Sequence, residues 1–208
     1  MNSVIKEWDH ESLKEICNVP NTLTAIRAGV VGYVTYQLFQ NGPSFETTCW
    51  YAGGMLTDAL DGFAARKLNQ QTRFGKRFDP IVDSASFHLP LWGLAYSSSN
   101  PISQWVFLTS SGLLALRDIH LFKMWLELEH HGEMFDVSTI GKVKTGVQMS
   151  ALTLLIGASP SLYPQAVEIG TWLLWWGAAF SLATWVDYYK QVKERMKNIR
   201  EQWGDFFK

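Results

Sequence analysis

The stretch from Asp58 to Asp83 decides the architecture, and it reads DALDGFAARKLNQQTRFGKRFDPIVD. It contains four aspartates in two pairs, Asp58 with Asp61 and Asp79 with Asp83. The members of a pair are three or four residues apart, and either spacing places two side chains on one face of an α-helix. Four carboxylates in a small volume repel each other unless cations lie between them. Oxygen ligands without His or Cys suit Mg²⁺, Mn²⁺ or Ca²⁺, so the stretch predicts a divalent metal site.

The residues around the two aspartate pairs indicate where a ligand can bind and where a helix begins. Gly62 leaves room for a ligand to lie against the first helix, and Arg66, one turn later, can meet a phosphate. Gly75 ends a basic connecting loop. Asp79 followed by Pro80 is typical of an N-cap and a first-turn proline, which predicts that a new helix begins there.

Four runs of the chain contain no Lys, Arg, Asp or Glu: 28–45, 84–116, 145–167 and 169–186. A membrane-spanning helix needs roughly 20 mostly apolar residues, and the longest of these runs suffices for one span, a turn and the start of another. A soluble bundle is the alternative, but it would need several helices that are apolar on all sides. The distribution predicts an all-α integral membrane protein.

Turn signals between the apolar runs divide the chain into six transmembrane helices. The predicted spans cover about 22–39, 45–66, 79–96, 102–125, 140–158 and 165–188. The turns after the first, third and fifth spans contain no Lys or Arg. The basic residues lie at both termini, in the loop after the second span, around the end of the fourth span and in the segment entering the fifth. The positive-inside rule therefore places both termini on the cytoplasmic side, together with all four aspartates.

The segment before the first span has the pattern of a short amphipathic helix over residues 3–17, with Trp8 on its apolar side. Such a juxtamembrane helix lies in the membrane interface, or it packs on the protein itself. The predicted organisation is an interfacial segment at 1–19, a six-helix domain at 20–190 and a charged helical tail at 191–208.

The start of the first span contains further signals. Pro20 is expected to end the amphipathic helix, and Asn21 or Thr22 to cap the next one. Arg27 lies near the start of the span, where its side chain can snorkel to the interface or reach a phosphate.

The aspartate stretch resembles the signature of the CDP-alcohol phosphotransferase family, D-x2-D-G-x2-A-R-x8-G-x3-D-x3-D. Every spacing is kept, and the pattern is filled by Asp58, Asp61, Gly62, Ala65, Arg66, Gly75, Asp79 and Asp83. Members commonly carry a P-N-x2-T-x2-R segment as well, which Pro20, Asn21, Thr24 and Arg27 match. The alternative is two solvated helix ends with ordinary surface carboxylates.

The resemblance implies an enzyme in which an alcohol attacks the lipid-linked phosphorus of CDP-diacylglycerol and CMP leaves. The implied metal ligands are Asp58, Asp61, Asp79 and Asp83, holding two Mg²⁺ or Mn²⁺ ions. Asp83 is also the implied general base for the attacking hydroxyl. The residues that match the CDP-binding positions of the family are Gly62, Ala65, Arg66 and Gly75. The resemblance further implies a homodimer among membrane lipids, and no nucleic-acid partner is expected.

The acceptor alcohol must be recognised elsewhere. Arg117 lies in an otherwise apolar helix and is expected to have an anionic partner, with the adjacent loop or a lipid headgroup as alternatives. Lys142 and Lys144 enter the fifth span, where they anchor the topology or, with Arg117, hold a phosphate of the acceptor. This region resembles the phosphatidylglycerophosphate synthases, and the likeness extends from Val19 to about Leu155. It implies sn-glycerol 3-phosphate as the acceptor.

At two positions the sequence differs from the phosphatidylglycerophosphate synthases, and these differences leave the identity of the acceptor alcohol open. The phosphatidylglycerophosphate synthases often have Arg-Glu where this chain has Arg117-Asp118. Arg-Asp occurs in the CMP-forming cardiolipin synthases, which use phosphatidylglycerol. Ser84 stands where both groups usually have Lys.

A function of a different class, a cation transporter, is the other alternative, because acidic residues within spans often mark ion paths. The position of the aspartates toward one side, beside Gly62 and Arg66, favours nucleotide binding instead. A catalytically silent scaffold is disfavoured by the complete aspartate set. The expected location is a bacterial inner membrane with the active site on the cytoplasmic side, and a mitochondrial inner membrane stays open.

Overall fold

A computed structural model describes residues 18–68, 72–130, 139–158 and 164–206, which form six α-helices and no strand. In chain order they are α1 Val19–Asn41, α2 Phe45–Leu68, α3 Arg73–Ser97, α4 Pro101–His130, α5 Thr139–Gly157 and α6 Pro164–Phe206. The all-α class is confirmed, and one helix occupies each of the six predicted positions. The segment predicted to be amphipathic, 3–17, lies outside the described residues.

The start of α1 differs from the prediction. Asn18 caps the helix, because its side-chain oxygen accepts a hydrogen bond of 2.8 Å from the backbone N–H of Asn21. The prediction that Asn21 or Thr22 caps this helix is wrong. Pro20 lies in the first turn, where a backbone N–H has no helical partner and its absence costs nothing. At the other end Gly42 has φ 72° and donates its N–H to the Leu38 carbonyl at 3.1 Å.

The start of α3 is a second correction. The helix begins at Arg73, two turns before the predicted Asp79, and Thr72 is its N-cap. The Thr72 hydroxyl oxygen accepts a 3.1 Å hydrogen bond from the Gly75 N–H, so the capping group acts well upstream of the proline. Pro80 lies inside the helix, where it removes one backbone hydrogen bond. Gly75 therefore belongs to the helix that carries the second aspartate pair, and not to a loop.

The helices pack around a main apolar core, and a smaller buried cluster lies between α4 and α6. α1 lies against α2 and α3, α3 against α4 and α5, and α6 against α4 and α5. The larger buried side chains of the core are Val34, Leu38, Tyr51, Phe87, Leu91, Leu94, Phe107, Leu114, Leu152, Leu155, Ile156 and Leu174. Glycines let the helices approach closely: a Cβ at Gly93 would lie 2.7 Å from Leu38 Cβ, and one at Gly177 would lie 2.6 Å from Gln148 Cγ.

The outer faces of the bundle are strongly apolar. Side chains such as Leu113, Leu116, Trp172 and Trp176 are each more than 60% exposed, and apolar patches of this extent need an apolar partner or medium. Within the described residues, the helix segment Gln165–Lys197 has the length and apolar composition needed to cross a membrane. The crossing of all six helices stays a prediction. The charged tail is confirmed as helical up to Phe206, since it continues α6 without a break.

Candidate active site

The second aspartate pair is held by side chains of α1. The Thr24 hydroxyl donates a hydrogen bond of 2.8 Å to Asp79 Oδ1, and Arg27 Nη2 lies 2.8 Å from Asp83 Oδ1. The Arg27 side chain is 2% exposed, whereas that of Asp83 is 49% exposed. Of the two alternatives for Arg27, snorkelling to the interface is wrong, because its buried guanidinium pairs with Asp83, and contact with a phosphate stays a prediction. The P-N-x2-T-x2-R segment thus fixes the two carboxylates of α3.

α1 and α3 also contact each other at Gly75, where the packing leaves no room for a side chain. A Cβ at Gly75 would lie 2.6 Å from Asn21 Oδ1 and 3.2 Å from the Thr72 hydroxyl oxygen. Asn21 Nδ2 also donates to that Thr72 oxygen at 3.4 Å. Gly75 therefore permits the contact between α1 and the start of α3. Its predicted role in binding CDP stays a prediction beside this packing role.

Replacement of Gly75 by Ala is expected to destabilise the protein by about 1–3 kcal/mol, as overpacking of a filled site does. Thermal unfolding in detergent measures this loss. Gly53→Ala in α2 is the matched control: a Cβ there meets nothing within 4 Å, and Ala is the better helix former. Equal melting temperatures for the two variants would contradict the packing role. A raised KM for CDP-diacylglycerol at unchanged stability would favour the CDP-binding role instead.

A hydrogen bond between α2 and α3 lies seven residues from one aspartate of each pair. Tyr51 on α2 donates its hydroxyl to the Ser86 carbonyl of α3 at 3.1 Å. Asp58 follows Tyr51 by seven residues, and Asp79 precedes Ser86 by seven. At 1.5 Å per residue, the backbone of each aspartate lies about 10 Å along its own helix from that contact.

The predicted roles of several residues of α2 stay predictions, because their side chains lie outside the described part of the structure. They are Asp58, Asp61, Gly62, Ala65 and Arg66. The described side chains contain no group of three or more potential metal ligands, and they include only Asp79 and Asp83 of the predicted set. These two supply hard oxygen donors one helical turn apart, each fixed by α1. That donor chemistry fits a divalent cation such as Mg²⁺ or Mn²⁺.

A second polar cluster is centred on Asp118 of α4. Arg117 Nη1 donates to Asp118 Oδ1 at 2.5 Å, and Lys144 Nζ of α5 lies 4.0 Å from the same oxygen. Asp118 Oδ2 accepts a hydrogen bond of 3.2 Å from the Ser84 hydroxyl of α3. The anionic partner predicted for Arg117 is therefore its neighbour in the chain. The side chain of Lys142 lies outside the described part of the structure.

Three further members of this cluster were not predicted from the sequence. His88 Nε2 lies 3.4 Å from Asp118 Oδ2, and His88 Nδ1 lies 3.0 Å from the Ser111 hydroxyl. Thr184 of α6 accepts a hydrogen bond of 2.9 Å from Arg117 Nη2. The available signal was a histidine within the apolar run 84–116, where a buried polar group needs a partner.

The family model for CDP-alcohol phosphatidyltransferase matches residues 17–183. The chain belongs to this family. As a CDP-alcohol phosphatidyltransferase it is an enzyme of phospholipid biosynthesis in a membrane-embedded, metal-dependent family, and the transporter and scaffold alternatives do not hold.

Several curated relatives of this phosphatidyltransferase share the name CDP-diacylglycerol–glycerol-3-phosphate 3-phosphatidyltransferase. The protein from Wigglesworthia glossinidia brevipalpis is 33% identical over 144 residues, which cover 67% of this chain and 76% of that protein. A Shigella flexneri protein is 30% identical over 180 residues, which cover 85% of this chain and 95% of that protein.

Solved structures share the fold of this phosphatidyltransferase. The crystal structure of phosphatidylinositol phosphate synthase PgsA1 from Mycobacterium tuberculosis with CDP-DAG bound has a TM-score of 0.58 at 19% identity, covering 88% of this chain and 90% of that one. The same enzyme in complex with manganese and citrate has a TM-score of 0.60 at 22% identity, covering 88% and 86%.

Proposed function

We propose that this phosphatidyltransferase transfers the phosphatidyl group of CDP-diacylglycerol to sn-glycerol 3-phosphate, giving phosphatidylglycerophosphate and CMP. The observation that carries the proposal is the meeting of Arg117 and Lys144, from two helices, at one carboxylate. Both cations are largely buried, with side chains 8% and 13% exposed. Cations in such a site attract an anionic acceptor, and a guanidinium matches the oxygens of a phosphate. The name shared by the curated relatives supports the same acceptor.

The proposed metal ligands are Asp58, Asp61, Asp79 and Asp83, which would hold two Mg²⁺ or Mn²⁺ ions. Bound there, the ions supply charge neutralisation of the pyrophosphate oxygens and of the leaving CMP. Thr24 keeps Asp79 in place through its hydroxyl. The proposed CDP-binding residues are Gly62, Ala65, Arg66 and Gly75.

Asp83 is the proposed general base. Its carboxylate is half exposed, so an acceptor hydroxyl can approach it, and Arg27 fixes its orientation from the buried side. The carboxylate takes the proton of the hydroxyl, the hydroxyl oxygen bonds to the phosphorus of the phosphatidyl group, and the bond to the CMP oxygen breaks. An oriented base of this kind contributes about 10²- to 10⁴-fold to the rate.

Arg117 is the central residue of the proposed acceptor site. Its Nη1 and Nη2 donate to Asp118 and Thr184, whereas its buried Nε has no hydrogen-bond partner among the described residues. A buried donor without a partner costs about 1–3 kcal/mol. A phosphate oxygen of the acceptor would satisfy it. Lys142 and Lys144 complete the proposed site.

The proposed setting is a bacterial inner membrane crossed by all six helices, with both termini and the active site on the cytoplasmic side. The exposed apolar faces of α4 and α6 support this placement. The proposed organisation keeps an interfacial segment at 1–19, the catalytic domain at 20–190 and a tail at 191–208. We also propose that the enzyme is a homodimer.

The test is CMP release by the purified protein in detergent, with CDP-diacylglycerol, Mg²⁺ or Mn²⁺ and one acceptor at a time. Release that requires glycerol 3-phosphate is the expected result. Release that requires phosphatidylglycerol would overturn the proposal and indicate a CMP-forming cardiolipin synthase, a possibility that the Arg117-Asp118 pair favours.

Arg117→Gln is expected to raise the KM for glycerol 3-phosphate by about 10- to 100-fold, because a hydrogen bond to a charged group contributes about 1.5–3 kcal/mol. The KM for CDP-diacylglycerol should not change. Steady-state CMP release at varied concentrations of each substrate measures both constants. Lys193→Gln, which removes one exposed cation from α6, is the matched control. An unchanged acceptor KM in the Arg117 variant would remove this residue from the site.

A further inference from the structure

Asp118 joins three helices at one carboxylate. Arg117 precedes it on α4, Lys144 comes from α5, and Ser84 and His88 come from α3. The Asp118 side chain is 21% exposed, so most of its charge is balanced by protein groups and not by water. A carboxylate placed in this way controls where its neighbours lie.

The two oxygens of Asp118 have different neighbours. Oδ1 faces the two cations, Arg117 and Lys144. Oδ2 faces the hydroxyl of Ser84 and the imidazole of His88. The buried Ser111 hydroxyl contacts the other nitrogen of that imidazole, so the ring is held from both sides. The α3 side chains fix the carboxylate, and the carboxylate presents its other oxygen to the cations.

Arg117 and Lys144 carry like charges and would repel each other in a buried site. The carboxylate between them offsets this repulsion and allows both to stay close to one point. Arg117 has a second anchor, since its Nη2 donates to Thr184 of α6 at 2.9 Å. Its Nε keeps no hydrogen-bond partner among the described residues. The guanidinium is therefore oriented at two points, with one donor left for a ligand.

We propose that Asp118 is a positioning residue of the acceptor site. Its carboxylate holds the Arg117 guanidinium and the Lys144 ammonium where one phosphate monoester of the acceptor contacts both. Arg117, Lys144 and Asp118 together carry one net positive charge, which leaves a net attraction for a phosphate. This inference rests on the proposed function, because it takes the acceptor to be a phosphorylated alcohol.

The test compares KM values for the two substrates in the full-length protein. Asp118→Ala is expected to raise the KM for glycerol 3-phosphate by about 10- to 100-fold, as loss of a hydrogen bond to a charged group does. The KM for CDP-diacylglycerol and the Mg²⁺ titration should stay unchanged. Asp118→Glu, which keeps the carboxylate, should recover most of the wild-type acceptor KM. Asp187→Ala, which removes an exposed carboxylate of α6, is the matched control.

Loss of Asp118 leaves buried cations without their counterion, so the Ala variant can fail to fold. Asp118→Asn keeps the shape of the side chain, and Thr184→Val removes the second anchor of Arg117 without changing any charge. Each folded variant should raise the acceptor KM selectively, with Thr184→Val giving the smaller rise.

The outcomes separate this inference from the proposed function. If the wild-type enzyme uses glycerol 3-phosphate and the folded variants raise both KM values equally, or neither, Asp118 has only a structural role and the inference is overturned. If the wild-type enzyme requires phosphatidylglycerol, the proposed function fails, and the phosphate-monoester site fails with it.

Discussion

Asp83→Asn is expected to reduce CMP release to a small residual rate while the helical bundle stays folded. The amide cannot take the proton of the acceptor hydroxyl, and loss of a general base lowers rates by about 10²- to 10⁴-fold. Its oxygen can still accept a hydrogen bond from Arg27, whose guanidinium lies 2.8 Å from the present carboxylate. The fold therefore keeps its contact between α1 and α3. CMP release at saturating substrates and thermal unfolding in detergent measure the two effects.

The control for this variant is Asp187→Asn, which makes the same chemical change at an exposed position of α6. It should keep wild-type turnover. Turnover of Asp83→Asn close to that of the control would exclude Asp83 as the base. A collapse of stability without residual folded protein would assign Asp83 to the structure of the bundle through Arg27.

Asp79→Asn should have the second large effect, a loss of metal binding. The amide is a weaker ligand for Mg²⁺ or Mn²⁺ than a carboxylate, and the site would lose one of its four negative charges. The Mg²⁺ or Mn²⁺ concentration that supports half-maximal CMP release should rise steeply. Calorimetric titration of the purified protein with Mn²⁺ alone gives a second reading that does not depend on turnover.

Thr24→Val provides the graded comparison for this second prediction. Thr24 donates to Asp79 at 2.8 Å, and loss of such an outer partner costs about 10- to 100-fold in metal affinity. The Thr24 variant should therefore lie between the wild-type protein and Asp79→Asn. Metal titrations that coincide for all three proteins would show that Asp79 is not a ligand.

Local patterns predicted the helices well and their ends less well. The apolar runs coincide with five of the six helices, all except α2, because a buried or lipid-facing backbone must satisfy its own hydrogen bonds. The two wrong starts have one cause. Asn18 and Asn21, or Thr72 and Asp79, are all capable N-caps, and a proline is tolerated inside α3 as well as in a first turn. Contacts such as that between Asn21 and Gly75 choose between these candidates.

Local sequence patterns could not predict which side chains from different helices contact each other. Thr24 and Asp79 are 55 residues apart in the chain, and Ser84 and Asp118 are 34 apart. Ser84 and Asp118 are the two positions at which the sequence differs from the expected phosphatidylglycerophosphate synthase pattern, and the structure brings them into contact.

The amino-acid sequence by itself determined the helical class, the family and the spacing of the four aspartates, because these depend on hydrophobic runs and on the 3.6-residue repeat of one helix. Only the tertiary structure decided that Arg27 pairs with Asp83 and does not extend to the membrane interface. It also decided that Asp118 contacts cations of both α4 and α5. The reason is physical. A charged group that leaves water must be paired, and which partner it finds depends on how distant helices pack.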